Sequence, residues 1–286
     1  MEQRRIGDRQ VSAIGLGAMH LSTDQRPDEA TAIGVVHAAL DEGITLIDTA
    51  DAYTPWDHAP GHNEQVVAKA LKSYGGDTSD VLVATKGGHT REGVAWGLNG
   101  RPDYLRVAAE NSCRALGVDS IDVYQHHRPD PDVPYAETMG ALRDLIDAGL
   151  IQRAGISNAD PEQIRIAHDV LGDKLVSVQN QFSPVFRSSE AELELCTELG
   201  LAFLPWSPLG GLRGAKDVGS TTAAFGEVAQ KYDVSPQRVC LAWMLAKSPA
   251  VIPIPGASRT ASVHDSAAAV ALKLDDDDLA SLDAPA

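Results

Sequence analysis

Four residues suited to one proton-transfer task stand where apolar runs of this sequence end. Asp48 and Tyr53 follow the run 43–47 (GITLI), Lys86 follows 82–85 (LVAT), and His127 closes 121–127 (IDVYQHH). A free phenol ionises near about 10, too high for efficient general-acid work near neutrality. An adjacent ammonium lowers that value by stabilising phenolate, and a carboxylate keeps the ammonium charged and oriented. On this reading Lys86 lowers the pKa of Tyr53, Asp48 holds Lys86, and His127 binds or orients the substrate oxygen. Tyr53 is the proton donor.

Residues so far apart in the chain meet only if the fold brings their strand ends together. The run 43–47 is short, β-branched and bounded by a glycine, as in a buried parallel strand, so Asp48 sits at a strand's C-terminal end. One unit then recurs: an Ala/Leu/Glu-rich helix, a glycine, and a short apolar strand with a polar exit. It is read in ALDEGITLIDTA, LKSYGGDTSDVLVATKGG, RALGVDSIDVYQHH, LIDAGLIQRAGISNA, VLGDKLVSVQNQ and TELGLAFLPWSPLG. A first strand at 13–19 precedes them. An eighth, SPAVIPIPGAS, follows a helix at 235–247 and carries prolines where the others have glycine. Such a count implies an α/β fold, a closed (β/α)8 barrel forming one domain over 1–286, whose strand exits share one rim. A short hairpin around Gly7-Asp8 precedes it, and a short C-terminal helix opens at Asp275-Asp276-Asp277-Asp278, where carboxylates suit the helix dipole. Helices are also expected at 29–41 and 190–199.

The formal charge of −16 argues against nucleic acid or an anionic membrane as a general partner, so any phosphate-bearing ligand needs a local basic site. Cys113, Cys196 and Cys240 are odd in number and lie in helical-looking apolar segments, as buried reduced thiols do. The N-terminus shows no signal-type apolar segment and no run is of membrane-spanning length, so a soluble cytoplasmic protein is expected. The GLGA of the first strand meets His20 where a dinucleotide fingerprint requires a third glycine. His58 and His62 have the spacing of helix-borne metal ligands, but Pro60-Gly61 breaks any helix between them, and no metal is expected. Residues 91–100 (REGVAWGLNG) read as a flexible loop placed to cover substrate.

The motifs DTADAY (48–53), ATKGG (84–88), DVYQHHRPD (122–130), GISNA (155–159), VQNQFSP (178–184), WSPLG (206–210) and IPGASR (254–259) together resemble those of the aldo-keto reductases. The resemblance runs from the first strand to the last helix. It implies a catalytic tetrad of Asp48, Tyr53, Lys86 and His127, with His126 a neighbour. Ser157, Asn158 and Gln179 match positions that grip the nicotinamide carboxamide, Trp206 the aromatic that stacks on the ring, and Ser207, Leu209 and Gly211 the pyrophosphate loop. Met19 and Asp48 are further cofactor contacts on the same basis. Gly256, Ser258 and Arg259, before a helix beginning near Thr260, match the site of the 2'-phosphate, which favours NADPH over NADH. The sequence departs from the family at Gly256, a lysine in some branches, and at Asp265-Ser266, usually Glu-Asn; Asp265 is kept as an adenine-side contact. The chain ends at Ala286 without a long C-terminal loop. An open pocket walled by Met19, Trp56, Trp96 and His127 is therefore expected, suited to aromatic or medium-sized carbonyl compounds.

The expected activity is NADPH-dependent reduction of aldehydes or ketones to alcohols by a monomer. Two alternatives stand beside it. A Schiff-base lyase would use Lys86 as nucleophile, although pairing with Asp48 would keep that lysine protonated. A non-catalytic subunit would bind NADPH and report redox state to a partner.

Overall fold

The chain opens with an antiparallel hairpin, β1 (Gln3–Ile6) and β2 (Arg9–Ser12). The computed structural model describes residues 1–23, 26–214, 219 and 222–284; Ala286, on which the expectation of an uncovered pocket turned, lies outside them. Three parallel strands follow, β3 (Leu16–Gly17), β4 (Leu46–Asp48) and β5 (Leu82–Gly87), then a second hairpin, β6 (His89–Glu92) and β7 (Ala95–Leu98). The parallel set resumes with β8 (Ile121–His126), β9 (Ile151–Ser157), β10 (Leu175–Gln179) and β11 (Ala202–Phe203). Seven strands make one curled sheet in the order β11-β10-β9-β8-β5-β4-β3.

The expected eighth strand closes the gap between the sheet's edges. Val251 bridges Phe203 and Gly256 bridges Gly17, both parallel. Toward β11, the N–H groups of Ile252 and Ile254 donate to Phe203 O (2.8 Å) and Pro205 O (3.2 Å). Toward β3, Pro253 and Pro255 accept from Gly15 N (2.9 Å) and Gly17 N (3.0 Å) but have no N–H to return. The seam is thus half a ladder, closed by prolines that face the side on which donors are missing. The fold is a (β/α)8 barrel.

Local sequence sets the elements around the barrel. Asp160 and Gln163 form a reciprocal capping box for the helix Pro161–Leu171. Gly117 (φ 72°) and Gly200 (φ 69°) end the helices Pro102–Leu116 and Glu190–Leu199 in the left-handed conformation that glycine adopts without strain. The aspartate run opens the helix Asp276–Asp283: Asp275 caps Asp278 N, and Lys231 bonds both carboxylates. The three cysteines are buried and free. Among the described residues no helix is long and apolar enough to cross a membrane.

Two apolar layers result. Phe182, Phe203, Trp243 and Tyr124 belong to the layer between strands and helices, where Phe182 stacks on Trp243 at 5.6 Å. Ile6 and Val11 of the first hairpin join Leu46, Leu82, Val123, Val176 and Ile252 inside the barrel. The hairpin therefore plugs the end where the strands begin, leaving the other end for polar groups. Residues 91–100 differ from expectation: Arg91 pairs with Trp96 in β6–β7, Gly93 (φ 56°) making the turn.

The seam offers a stability test. A Cβ on Gly17 would stand 2.7 Å from the backbone oxygen of Ile254, which cannot move without opening the closure. Gly17→Ala is expected to lower the unfolding free energy by about 1–3 kcal/mol, read from the urea midpoint.

Candidate active site

At the strand exits the barrel interior turns polar. Asp48 ends β4, Lys86 lies near the end of β5, Gln125 in β8 and Gln179 ends β10, and all four meet. Lys86 Nζ donates to Asp48 Oδ2 (2.6 Å), Thr49 O (2.8 Å) and Tyr53 Oη (3.3 Å), which uses its three protons. The other Asp48 oxygen accepts from Gln179 Nε2 (2.7 Å) and Gln125 Nε2 (3.1 Å). Lys86 is fully buried and Asp48 is 3% exposed. Charges so enclosed persist only when paired and hydrogen-bonded throughout, as these are.

A register irregularity makes the arrangement possible. Val176 packs inside the barrel, whereas Val178 packs outside against the helices. The pairing of β10 with β9 shifts between Leu175 and Ser177, which reverses the alternation and turns Gln179 inward onto Asp48.

The electrostatics differ from expectation in one respect. Burial opposes the Lys86 ammonium, but Asp48 and Tyr53 outweigh it and hold its pKa above the ordinary value. Burial also raises the Tyr53 phenol, and with a push from Asp48 it exceeds the lowering by Lys86, so Tyr53 titrates above 10.0 rather than below. Tyr53 therefore keeps its proton at neutral pH. The pair's resting state is a phenol beside an ammonium, not a phenolate.

Edge-to-face rings extend from the phenol. Tyr53 and His127 have centroids 5.5 Å apart at 83°. His127 meets His89, the first residue of β6, at 4.9 Å and 83°. Burial, reinforced by Lys86, holds His127 far below its usual pKa, making it a neutral hydrogen-bonding group. His126 points elsewhere, toward Tyr135 at 5.9 Å.

The residues expected to hold a cofactor gather beside this row. Asn158, in a left-handed conformation (φ 58°), donates to His127 O (3.0 Å) and Ser157 Oγ (2.9 Å), and its Oδ1 accepts from Trp206 Nε1 (3.2 Å). Ser157 Oγ donates to Gln179 O (2.7 Å). The half-buried Trp206 is followed by Ser207, Gly210 and Gly211, all with positive φ, and Leu209 lies within the same turn. Arg259 precedes the helix Thr260–Ala268, whose N-terminus has no side-chain cap. Gly256 and Ser258 are exposed nearby. A Cβ on Gly256 would lie 2.5 Å from His20 Cδ2, so His20 fills the space where a side chain at 256 would begin.

The sequence model of the Aldo/keto reductase family matches residues 13–285. The chain belongs to this family. An uncharacterized oxidoreductase of Schizosaccharomyces pombe is 34% identical over 98% of this chain and 88% of its own length. A probable aldo-keto reductase of Glycine max is 32% identical over 94% and 84%. The crystal structure of a thermostable aldo-keto reductase, Tm1743, with the inhibitor epalrestat superposes with a TM-score of 0.84 at 27% identity over 99% of both chains. That of an aldo/keto reductase from Klebsiella pneumoniae with NADP and acetate gives 0.82 at 27%, covering 98% of this chain and 94% of the other. Membership makes the chain an oxidoreductase of the aldo-keto type.

Asp48, Tyr53, Lys86 and His127 assemble as one hydrogen-bonded and ring-packed group. Met19 opens a short turn after β3, Trp56 is 60% exposed on the loop beyond Tyr53, and Trp96 stacks on His89 at 4.6 Å. Asp265 has another occupation than the one expected. Its Oδ1 pairs with Arg238 (2.8 Å) and its Oδ2 accepts from Ser235 Oγ (2.5 Å), so the carboxylate is tied to another helix of the protein. His58 and His62 meet edge to face at 5.0 Å, His62 opening the helix His62–Ser73. Among the described residues no group of three or more His, Cys, Asp or Glu is arranged for a metal. A cleft of about 680 Å³ at the strands' opposite ends, lined by Arg5, Asp8, Arg153 and Lys174, holds none of the tetrad. Gln125 and His89 were missed in the sequence; the signal for Gln125 was an amide inside an apolar strand.

The buried pair is testable without substrate. Lys86→Met leaves Asp48 with amide donors alone and is expected to lose about 3 kcal/mol or more of stability; adding Asp48→Asn should recover part of it in the same denaturation assay.

Proposed function

We propose that this protein reduces aldehydes and ketones to alcohols with NADPH, Tyr53 giving its proton to the carbonyl oxygen. The observation that carries the reading is the single buried network joining Tyr53 Oη, Lys86 Nζ and Asp48. When bound, the reduced nicotinamide supplies the hydride. As negative charge grows on the substrate oxygen, Tyr53 transfers its proton there, and the Lys86 ammonium stabilises the phenolate left behind. Asp48 keeps Lys86 charged and in place. His127, neutral through burial, offers that oxygen a hydrogen bond without competing as an acid.

The donor set fits a nicotinamide dinucleotide. The protons of Ser157, Asn158 and Gln179 are engaged within the protein, but Gln179 Oε1 and the second lone pair of Asn158 Oδ1 remain as acceptors for a carboxamide NH2, and Trp206 offers a flat apolar face beside them. Ser207, Leu209 and Gly211 supply a close backbone turn for the diphosphate, with Met19 near the same rim. Arg259 and Ser258, at an uncapped helix N-terminus, favour a 2'-phosphate and hence NADPH over NADH. The lyase alternative loses ground, since a lysine held protonated by a carboxylate at 2.6 Å is a poor nucleophile.

The experiment is reduction of an aromatic aldehyde followed as NADPH or NADH consumption. NADPH should be the better donor. Tyr53→Phe should keep NADPH binding, measured by fluorescence titration, and lose about 10²- to 10⁴-fold in turnover. Near-normal turnover by that variant would remove Tyr53 from its role.

A further inference from the structure

The hairpin β6–β7 brings to the mouth a polar group outside the tetrad. We propose that His89 selects carbonyl compounds with a second oxygen on the adjoining carbon, 1,2-dicarbonyls or 2-hydroxycarbonyls bearing an apolar body, by hydrogen-bonding that second oxygen. The inference rests on the carbonyl-reductase reading and specifies its substrate class.

His89 stands next to His127 in the ring row that begins at Tyr53, so the row presents one hydroxyl and two imidazoles in succession. Nδ1 of both His127 and His89 is buried without a hydrogen-bond partner. With Nδ1 enclosed, Nε2 is the nitrogen that each ring leaves to meet a ligand. Two imidazoles 4.9 Å apart can each take one of two oxygens on neighbouring carbons. Burial, with Arg128 nearby, brings His89 down to about 4, so at neutral pH the ring has one donor and one acceptor nitrogen. It can therefore serve a hydroxyl or a carbonyl. Its orientation is fixed from the side: Trp96 stacks on it at 4.6 Å and 28°, and the Arg91 guanidinium covers Trp96 at 4.4 Å.

The apolar body follows from the rim. Of the nine exposed large apolar side chains among the described residues, six stand on loops leaving β4, β5 and β10: Trp56, Val94, Trp96, Leu98, Val185 and Phe186. Strands β4 and β5 are neighbours, whereas β10 lies further round the sheet, so these side chains flank the mouth from two sides. An exposed apolar collar around a polar cleft suits a ligand that is polar at its reacting end and apolar beyond.

The test compares 1-phenyl-1,2-propanedione with 1-phenyl-2-propanone, the same skeleton lacking one oxygen. The variant His89→Phe keeps a ring for Trp96 to stack on and removes both nitrogens. Its kcat/KM for the dione should fall about tenfold or more while that for the monoketone changes less than about twofold. His89→Gln should restore part of the dione rate. Affinity for 1-phenyl-1,2-propanediol, titrated calorimetrically into the enzyme with NADP, should weaken in His89→Phe by a similar factor. Equal losses on both ketones, or none on the dione, would overturn the assignment of His89. If the wild-type protein reduced neither ketone nor any simple aldehyde with either nicotinamide, the reductase reading would fail and this proposal with it.

Discussion

A lysine with no exposed surface, bonded at 2.6 Å to a carboxylate that is almost as deeply buried, is the constraint around which the polar end of this barrel is built. An ammonium costs several kcal/mol to remove from water unless every proton is paired and its countercharge is itself solvated by the protein. Both conditions dictate the surroundings. Thr49 O and Tyr53 Oη take the remaining lysine protons, and Gln125 and Gln179 donate to the far carboxylate oxygen. The phenol is placed by what the lysine requires, and the chemistry follows from that placement.

The rest of the barrel separates polarity along its axis. Ile6 and Val11 of the first hairpin close the strand-start end with the apolar rings of β4, β5 and β8. The polar groups gather at the opposite end, at the strand exits, where Asp48, Tyr53, Lys86, His127, Asn158, Trp206 and the β6–β7 hairpin stand. Asn158 and Ser207 at this rim both hold left-handed conformations, which asparagine adopts more readily than serine. The cleft near Arg153, at the strands' opposite ends, contains none of these residues.

Much of this was legible because strand exits announce themselves where an apolar run stops. The run before Asp48 and the glycine between helix and strand gave the repeat its period, and SPAVIPIPGAS could be read as the eighth strand because it follows a helix in the same unit, with prolines where the others have glycine. Less visible were features that depend on parity or on sums. Nothing local to LVSVQ shows that a register shift turns Gln179 inward. Residues 91–100 looked like a loop because their alternation is weak, yet Gly93 turns them into a hairpin that delivers His89 and Trp96 to the pocket. The expected lowering of Tyr53 by Lys86 is present, but burial outweighs it, and burial cannot be summed from a sequence. Asp265 was assigned by motif position, while its Arg238 partner lies on a neighbouring helix.

The central claim is that the proton comes from a buried phenol kept protonated, beside histidines kept neutral. Its most direct test is the pH dependence of kcat/KM for carbonyl reduction in the wild-type enzyme. His127 lies far below the histidine range and Tyr53 above 10.0, so neither changes charge near neutrality. The rate should be level from about pH 6 to about pH 8 and decline only in alkali, as rising pH strips the proton from Tyr53. A titration centred near about 6.5 that disappears in His127→Gln would show a charged imidazole as the donor and contradict the account.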